Sequence, residues 1–256
     1  MTTLPTDKKI YFASDFHLGV PSYDKSLARE KRLVAWLDTV KHDAAEIYLV
    51  GDLFDFWFEY KTVIPKYFTR LLGKLAELRD MGIPITFFTG NHDMWMFGYF
   101  EEELGIPVIR QPIDREINGK KFHIAHGDGL GPGDKGYKFI KKVFASKLCQ
   151  WLFRWVHPDI GIGIANYFSG TSRKKTGDSD ATFLGEENEW LVIYSREKLQ
   201  TQHYDFFIYG HRHLPMDIEL QASSHYINLG DWINHFTYAV FDGENVELKK
   251  FEGENH

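Results

Sequence analysis

The sequence predicts an α/β fold in which mixed sheets are flanked by helices, with a helical segment inserted between two strands. Short apolar runs that end abruptly in polar residues predict the strands, and stretches with helical spacing lie between the early ones. The inserted segment is predicted by one wide apolar stretch that is also basic. At 256 residues the chain is long enough for a sizeable core, so residues 1–256 are interpreted as a single domain.

Eight runs rich in β-branched and aromatic residues are predicted as strands. They cover Lys9–Ala13, Glu46–Val50, Ile85–Thr89, Lys121–Ala125, Asp205–Tyr209, Tyr226–Leu229, Thr237–Phe241 and Val246–Phe251. Helical spacing is found over Leu33–Val40, Phe68–Leu78 and roughly Glu186–Leu199. Strands that alternate with helices early, and follow one another closely later, predict parallel pairing joined by some antiparallel pairing.

The insertion is predicted at about residues 135–175. Apolar residues at 140, 144, 148, 151 and 155 fit one helical face, which the aromatic run around Phe153 makes unusually wide. His157-Pro158 breaks this helix, and a second apolar element follows. The segment holds nine Lys or Arg and only one acid, Asp159, a formal charge of +8 that leaves −14 for the rest of a −6 chain. A helical lid that meets an anionic partner is therefore expected.

Composition excludes several classes of protein. The N-terminus has no apolar signal-like region, and no apolar run is long enough for a membrane span, so a cytoplasmic location is expected. The single cysteine, Cys149, permits no disulfide within the chain. Because the body is acidic outside the insertion, nucleic acid is not expected as a partner.

Polar side chains follow five of the predicted strands at the point where each ends. The motifs are Asp15-Phe16-His17, Gly51-Asp52, Gly90-Asn91-His92-Asp93, His126-Gly127-Asp128 and Gly210-His211-Arg212-His213. Ligands of α/β sheets bind beyond the carboxyl ends of the strands, and glycine lets the backbone approach closely there. Each motif alone has an ordinary explanation as a turn, a helix cap or a polar pair, but their joint occurrence at strand ends predicts one shared site.

The residue types at these strand ends are those of metal ligands. The predicted ligands are Asp15, His17, Asp52, Asn91, His126, His211 and His213. Imidazole with carboxylate suits Mn, Fe, Zn or Co better than Ca. Seven ligands exceed the needs of one tetrahedral ion and suit two divalent ions about 3.5–4 Å apart, which clamp a phosphate and activate a water. A dinuclear phosphoesterase is the expected function.

In this order the motifs resemble those of the calcineurin-like metallophosphoesterase superfamily, over roughly residues 9–231. The resemblance implies an α/β sandwich of mixed sheets, with Asp52 bridging two metals. It implies that the first metal binds Asp15, His17, Asp52 and His213, and the second Asp52, Asn91, His126 and His211. His92 matches a non-ligand histidine that assists the leaving group or stabilises charge on the phosphoryl oxygens, and Asp93 is predicted to orient it.

The stretch after Asp52 and the segment from His126 into the insertion resemble UDP-2,3-diacylglucosamine hydrolases of lipid A biosynthesis in Gram-negative bacteria. That resemblance implies a lipid-linked nucleotide sugar as substrate, with release of UMP and 2,3-diacylglucosamine 1-phosphate. Candidate substrate contacts in the lid are Lys135, Lys138, Lys142, Phe144, Trp151 and Trp155. Peripheral contact with the cytoplasmic face of the inner membrane, through Trp151, Phe153 and Trp155, is a further hypothesis.

One position departs from the better-known branch of these hydrolases, which has Arg where this chain has His92. This departure concerns the leaving-group assistance and the precise substrate. The alternative functions are another phosphodiesterase or phosphatase of the superfamily, acting on a nucleotide or phosphoprotein, and a scaffold that has lost catalysis. Asp55, Asp128 and His225 are candidate supporting residues, and Asn228, Gly230 and Asp231 follow a strand near the expected site.

Overall fold

Two mixed β-sheets form the body of a computed structural model that describes residues 3–132, 135–164, 182–221 and 223–253, without the side chains of 135–137, 139 and 140. The first sheet contains β1 (Lys9–Ala13), β2 (Ala44–Val50), β3 (Ile85–Phe88), β4 (Val108–Ile109), β10 (Thr237–Phe241) and β11 (Val246–Lys250). The second contains β5 (Ile113–Ile117), β6 (Lys120–Ala125), β7 (Phe206–Tyr209), β8 (Pro215–Gln221) and β9 (Ser224–Leu229). This α/β arrangement of mixed sheets confirms the predicted fold class.

The first sheet has the strand order β11-β10-β1-β2-β3-β4. Its strands β1 to β4 are parallel, and β10 and β11 extend it by antiparallel pairing. The last four residues of β1 and of β2 are buried on both faces, as expected for parallel strands covered on both sides. All their carboxyl ends therefore open onto the same edge of the sheet.

The second sheet has the order β5-β6-β7-β9-β8, with β6, β7 and β9 parallel and both edge strands antiparallel. It packs face to face on the first sheet through aromatic and β-branched side chains. Phe12 of β1 lies at the centre, with ring centroids 5.0 Å from Tyr48 and 6.1 Å from Phe122. This apolar contact makes the two sheets a sandwich and brings two sets of strand ends together.

Helices cover the outer faces of the sandwich. On the first sheet lie α1 (Tyr23–Val40), α2 (Thr69–Asp80) and the short α3 (Tyr99–Leu104), whose buried residues join one core cluster with the sheet. Helix α1 starts at Ser22, whose hydroxyl accepts a hydrogen bond from the amide of Lys25. On the second sheet α7 (Trp190–Leu199) packs through Leu191 and Val192. The predicted helices are thus present, and α7 begins four residues later than predicted.

The insertion between β6 and β7 contains α4 (Lys135–Phe144), α5 (Lys147–Arg154) and a helical stretch, α6, over residues 158–164. The prediction of one continuous helical face through 155 is wrong, because the helix breaks at Ser146, which has the extended backbone of a helix N-cap. The only cysteine, Cys149, lies half-buried on α5. The predicted second apolar element extends beyond 164 and lies partly outside the described residues.

The outer side of the insertion exposes large apolar side chains: Leu148, Trp151, Leu152, Trp155, Ile160 and Ile164. Inward contact is made by Phe153, whose ring lies 4.8 Å from both Phe58 and Trp95. The indole N–H of Trp95 donates to the carbonyl of Phe144 at 2.8 Å and so holds the end of α4. Within the described ranges, no helix combines the length and apolar character needed to cross a bilayer.

Candidate metal centre

The carboxyl ends of β1, β2 and β3 from one sheet meet those of β6 and β7 from the other. All seven predicted ligands lie on the loops that leave these five strands. The backbone joins the loops, since the amide of Asp15 donates to Gly51 and that of Gly210 donates to His126. Parallel strand ends that meet at one edge are the usual ligand position of such sheets.

The first group of side chains is Asp15, His17, Asp52 and His213, whose ligand atoms all lie within 4.8 Å of one another. The Nε2 atoms of His17 and His213 are 3.0 Å apart. The Oδ1 atom of Asp15 lies 3.2 Å from His213 Nε2 and 3.7 Å from His17 Nε2. Two imidazole nitrogens and two carboxylates therefore face a single point, as the resemblance implied for the first metal.

The second group shares Asp52 with the first. Asp52 Oδ2 lies 3.3 Å from His126 Nε2 and 3.8 Å from His17 Nε2, so this oxygen stands between the two groups. The amide oxygen of Asn91 lies 3.3 Å from His126 Nε2 and 3.0 Å from His211 Nδ1. All seven predicted ligands thus converge, and Asp52 is common to the two groups.

The backbone at these ligands is unusual. Positive φ angles, between 45° and 70°, occur at Asp15, His17, Asp52, His211 and His213. Residues with a Cβ rarely adopt this region, at a cost of order 1–3 kcal/mol each, and such strain clusters at functional sites. The surrounding hydrogen bonds hold it in place, for example the one from the amide of His211 to Asp15 Oδ2 at 2.9 Å.

The glycines of the motifs leave room for the ligands of neighbouring strands. A Cβ on Gly90 would collide with the carboxylate and backbone of Asp52, and one on Gly51 would collide with the ring of His126. Gly51 also has a φ of +86°. Each glycine therefore serves the packing of a ligand on another strand, which explains why Gly precedes the ligand in both motifs.

The charges of the site are strongly coupled. Burial opposes the ionised form of Asp52, but the neighbouring imidazoles of His126 and His92 outweigh burial and hold the pKa of Asp52 well below its usual range. Burial also opposes protonation of His126, yet attraction to Asp52 raises its pKa to about 10. Burial lowers the pKa of His17 to about 3 and, with repulsion from His126, that of His211 to about 4.

The geometry fits divalent cations. Among the described residues no hydrogen-bond donor reaches Asp15 Oδ1 in good geometry, although this oxygen is fully buried and faces two imidazoles. An unsatisfied buried carboxylate oxygen is costly unless a cation is present. Two such groups of nitrogen and oxygen donors, joined through Asp52, suit a pair of divalent metal ions.

Outer contacts orient the ligands. The Nδ1–H of His126 donates to the carbonyl of Val50 at 2.9 Å, which turns the Nε2 lone pair toward the site. His17 Nδ1 lies 3.5 Å from Asp55 Oδ1, so Asp55 supports a ligand from behind. Asn228 donates to the carbonyl of Gly210 at 2.6 Å and supports the loop that carries His211. His225, by contrast, pairs with Asp217 at the protein surface.

His92 lies beside the predicted metal ligands but belongs to neither of the two groups that share Asp52. Its amide donates to Asp52 Oδ1 at 2.9 Å, and its Nδ1 is 3.1 Å from the carbonyl oxygen of Asp55 and 3.4 Å from Asp55 Oδ1. Its ring meets that of His17 edge-on, with centroids 4.8 Å apart. The half-buried imidazole is therefore fixed at one nitrogen, which leaves the other side of the ring available to a substrate.

Asp93 has a different position from the one predicted. Its carboxylate accepts hydrogen bonds from the amides of Gly90 at 2.7 Å and Leu53 at 2.8 Å, so it ties two ligand loops together. Burial and the nearby charge of Asp52 raise the pKa of Asp93 to about 7. The contact with His92 that the sequence assigned to Asp93 is made by Asp55 instead, because Asp93 points into the loop junction.

The predicted lid contacts divide into inward and outward positions. Lys138 donates to the carbonyl of Gly131 at 2.6 Å, and Phe144 packs 5.6 Å from Trp95 between centroids. Trp151 and Trp155 are 54% and 76% exposed. Lys142 is exposed, and the side chain of Lys135 lies outside the described part of the structure. Phe153, grouped with the outer tryptophans in the sequence, faces the body instead.

Two buried arginines support the site and were missed. Arg212, between the ligands His211 and His213, forms a two-pronged ion pair with Glu189 at 2.8 and 2.9 Å, and both side chains are almost fully buried. Arg29 of α1 donates to the carbonyls of Phe16 and His17. The sequence did contain a signal for Arg212. It lies between two predicted ligands just after a buried strand, and a buried arginine at such a place needs an acidic partner.

The chain belongs to a known family. The family profile described as "Calcineurin-like phosphoesterase" matches residues 8–215, a range that includes all seven predicted ligands. Members of this class hold divalent metal ions, in agreement with the geometry of the two groups.

Among characterised relatives, the UDP-2,3-diacylglucosamine hydrolase of Porphyromonas gingivalis is 41% identical over 95% of this chain and 98% of its own length. Hydrolases of the same name from Shewanella sp. and Yersinia pestis are 26% and 28% identical over 93% and 94% of this chain and 95% and 98% of theirs. A solved phosphoesterase from E. coli, Yfce, aligns with 91% of this chain and 87% of its own at 15% identity and a TM-score of 0.41.

Proposed function

We propose that this protein hydrolyses the pyrophosphate bond of UDP-2,3-diacylglucosamine and releases UMP and 2,3-diacylglucosamine 1-phosphate in lipid A biosynthesis. The observation that carries the proposal is the match to the P. gingivalis hydrolase, at 41% identity over nearly the whole of both chains. It is supported by the convergence of the seven predicted metal ligands at the strand ends, four of them in one cluster and three beside it.

When bound, two divalent ions supply charge neutralisation for the phosphoryl oxygens and an activated water. Mn²⁺ is proposed, with Fe, Zn or Co as alternatives, because imidazole and carboxylate ligands suit this group of metals. Asp52 would be the ligand common to both ions, and its Oδ1 atom is held by the amide of His92 at 2.9 Å.

His92 is the proposed catalytic residue beside the metals. Hydrolysis adds water to phosphorus and breaks the bond to the bridging oxygen, which leaves with the electron pair and takes up a proton. The ring of His92, anchored at Nδ1 by the backbone of Asp55, is placed to give that proton or to stabilise charge on the departing phosphate. Asp55 is the positioning residue in this arrangement.

The lid is the proposed contact for the lipid half of the substrate. Phe56, Trp95 and Phe153 form an aromatic surface beside His92, with ring centroids 4.8–6.1 Å apart. Burial of acyl chains is worth about 0.8 kcal/mol per methylene, so an apolar surface here compensates for leaving a bilayer. The exposed Trp151 and Trp155 are proposed to touch the cytoplasmic face of the inner membrane.

The second candidate is a phosphodiesterase of broader specificity in the same family, favoured by His92, which stands where the better-known lipid hydrolases have Arg. The test compares turnover of UDP-2,3-diacylglucosamine with that of a simple aryl phosphodiester, using Mn²⁺-loaded protein. UMP release from the lipid with little aryl cleavage is expected. Aryl cleavage without lipid turnover would favour the second candidate, and neither activity in metal-loaded protein would leave a non-catalytic scaffold.

A further inference from the structure

A cleft opens beside the metal centre, separated from the aromatic surface by helix α4. It has a volume of about 440 Å³, within the range of small-molecule sites, and His126 contributes to its lining. One wall is the carboxyl end of β3 with the loop that follows β4, and the opposite wall is helix α4. The cleft therefore leads directly from a metal ligand into the gap between body and lid.

Helix α4 separates this cleft from the aromatic surface. Lys138, Lys141, Lys142 and Ala145 line the cleft, and their spacing of three and four residues places them on one face of the helix. Phe144, which is exposed in part, turns its ring toward Trp95 instead. The insertion thus offers a basic wall to one side of the metal centre and an aromatic wall to the other.

The cations of the cleft are mostly uncompensated. Lys141 pairs with Asp128 at 2.6 Å. Arg110 donates to the neutral carbonyl of Met96, Lys138 donates to that of Gly131, and no carboxylate of a described residue pairs with either of them or with Lys142. Three positive charges around one cleft attract an anion. Apolar side chains of Ile109, Pro112 and Leu130 complete the lining and suit the face of a planar ring.

We infer that this cleft binds the nucleoside monophosphate half of the substrate, with Arg110 and Lys142 as its specificity-determining cations. The inference rests on the proposed function, because it places the two halves of that one substrate on opposite faces of α4. The acylated sugar lies on the aromatic side, where His92 and Phe56 adjoin, and the uridine half lies on the side of His126. A substrate that is anionic at one end and apolar at the other is matched by this arrangement.

The test measures binding of UMP to Mn²⁺-loaded protein by calorimetry, in Arg110→Gln, Lys142→Gln and the control Lys147→Gln. Lys147 is an exposed lysine of the same insertion outside the cleft, so it matches the change in charge. Each cleft variant is expected to weaken UMP binding about tenfold, the effect of losing one charge-assisted contact, and Lys147→Gln to leave it within about twofold. Inorganic phosphate, which needs only the metals, should bind all variants equally.

Unchanged UMP affinity in both cleft variants would overturn the assignment. A parallel loss of UMP and phosphate affinity would also overturn it, because the cations would then act on the metal centre rather than on the nucleotide. In turnover of the lipid substrate, the cleft variants should raise KM with little change in kcat. Wild-type protein that shows the cleft-dependent UMP binding but fails to hydrolyse the lipid would support the cleft and reject the proposed function, so the two failures are distinguishable.

Discussion

The metal centre and the insertion are built in opposite ways. The loops that carry the predicted ligands are held by buried hydrogen bonds, and five of the predicted ligands have left-handed backbone that such support maintains. Helix α5 of the insertion has no buried residue, and its side chains Leu148, Trp151 and Leu152 are exposed, whereas Phe153 contacts the body. Rigid loops suit a reaction that demands fixed distances, whereas an outer element held at a few points suits a large, partly apolar substrate.

The largest effect should come from the shared ligand. Asp52→Asn removes the charge that joins the two metal groups, and kcat should fall about 10³-fold or more, since metal stabilisation of a phosphoryl group is worth several kcal/mol. Kinetics and metal content measure it. The matched control, Asp217→Asn at the surface, should leave both unchanged. Comparable losses in the two variants would contradict the assignment of Asp52 as the bridging ligand.

The next effect concerns the buried pair behind the ligand histidines. Arg212→Gln leaves Glu189 charged and buried, so the free energy of unfolding should fall by about 3–5 kcal/mol. Arg196→Gln breaks an exposed pair with Glu186 and should cost at most about 1 kcal/mol. Urea unfolding compares the two. Equal midpoints would mean that the site tolerates the loss of its supporting pair.

Substitution of His92 tests whether the metal centre includes a catalytic group that binds no metal. His92→Gln should lower kcat about 10²-fold, the lower range for general acid catalysis, while metal content stays at the wild-type level. His203→Gln replaces an exposed histidine and serves as control. Unchanged turnover with both metals retained would remove His92 from the mechanism.

The smallest effects separate the inner and outer faces of the lid. Phe153→Ala removes a ring packed on Phe58 and Trp95, and the free energy of unfolding should fall by about 2 kcal/mol, less than for a fully buried Phe. Trp155→Ala should change it by less than about 0.5 kcal/mol, because the ring is exposed. Binding to anionic vesicles at low salt should instead be weakened more by Trp155→Ala than by Phe153→Ala. Vesicle binding that is unchanged in Trp155→Ala would argue against membrane contact.

The sequence predicted most of the body. The central strands were found because parallel strands buried on both faces are continuous apolar runs, and their ends displayed the ligands. The three missed strands, β4, β5 and β8, are all edge strands. Such strands are short or half exposed and mix charged with apolar residues, as in Ile113–Ile117, so their pattern is weak.

Contacts between distant residues were not predictable. Asp55, and not the predicted Asp93, lies beside His92. The amides of Gly90 and Leu53 bind the carboxylate of Asp93 and so turn it away from His92. The break of the lid helix at Ser146 lies just after Phe144, whose carbonyl accepts a hydrogen bond from Trp95, about 50 residues earlier in the chain. Neither spacing nor composition carries this information.

The solitary Cys149 makes the lid accessible to spectroscopy. It is the one thiol of the chain, and it lies half-buried on α5, the helix that also carries Trp151 and Phe153. A maleimide dye or nitroxide would therefore attach at a single place without any other cysteine having to be removed. Its signal would follow the lid itself as substrate arrives and product departs, in real time and in the otherwise native protein.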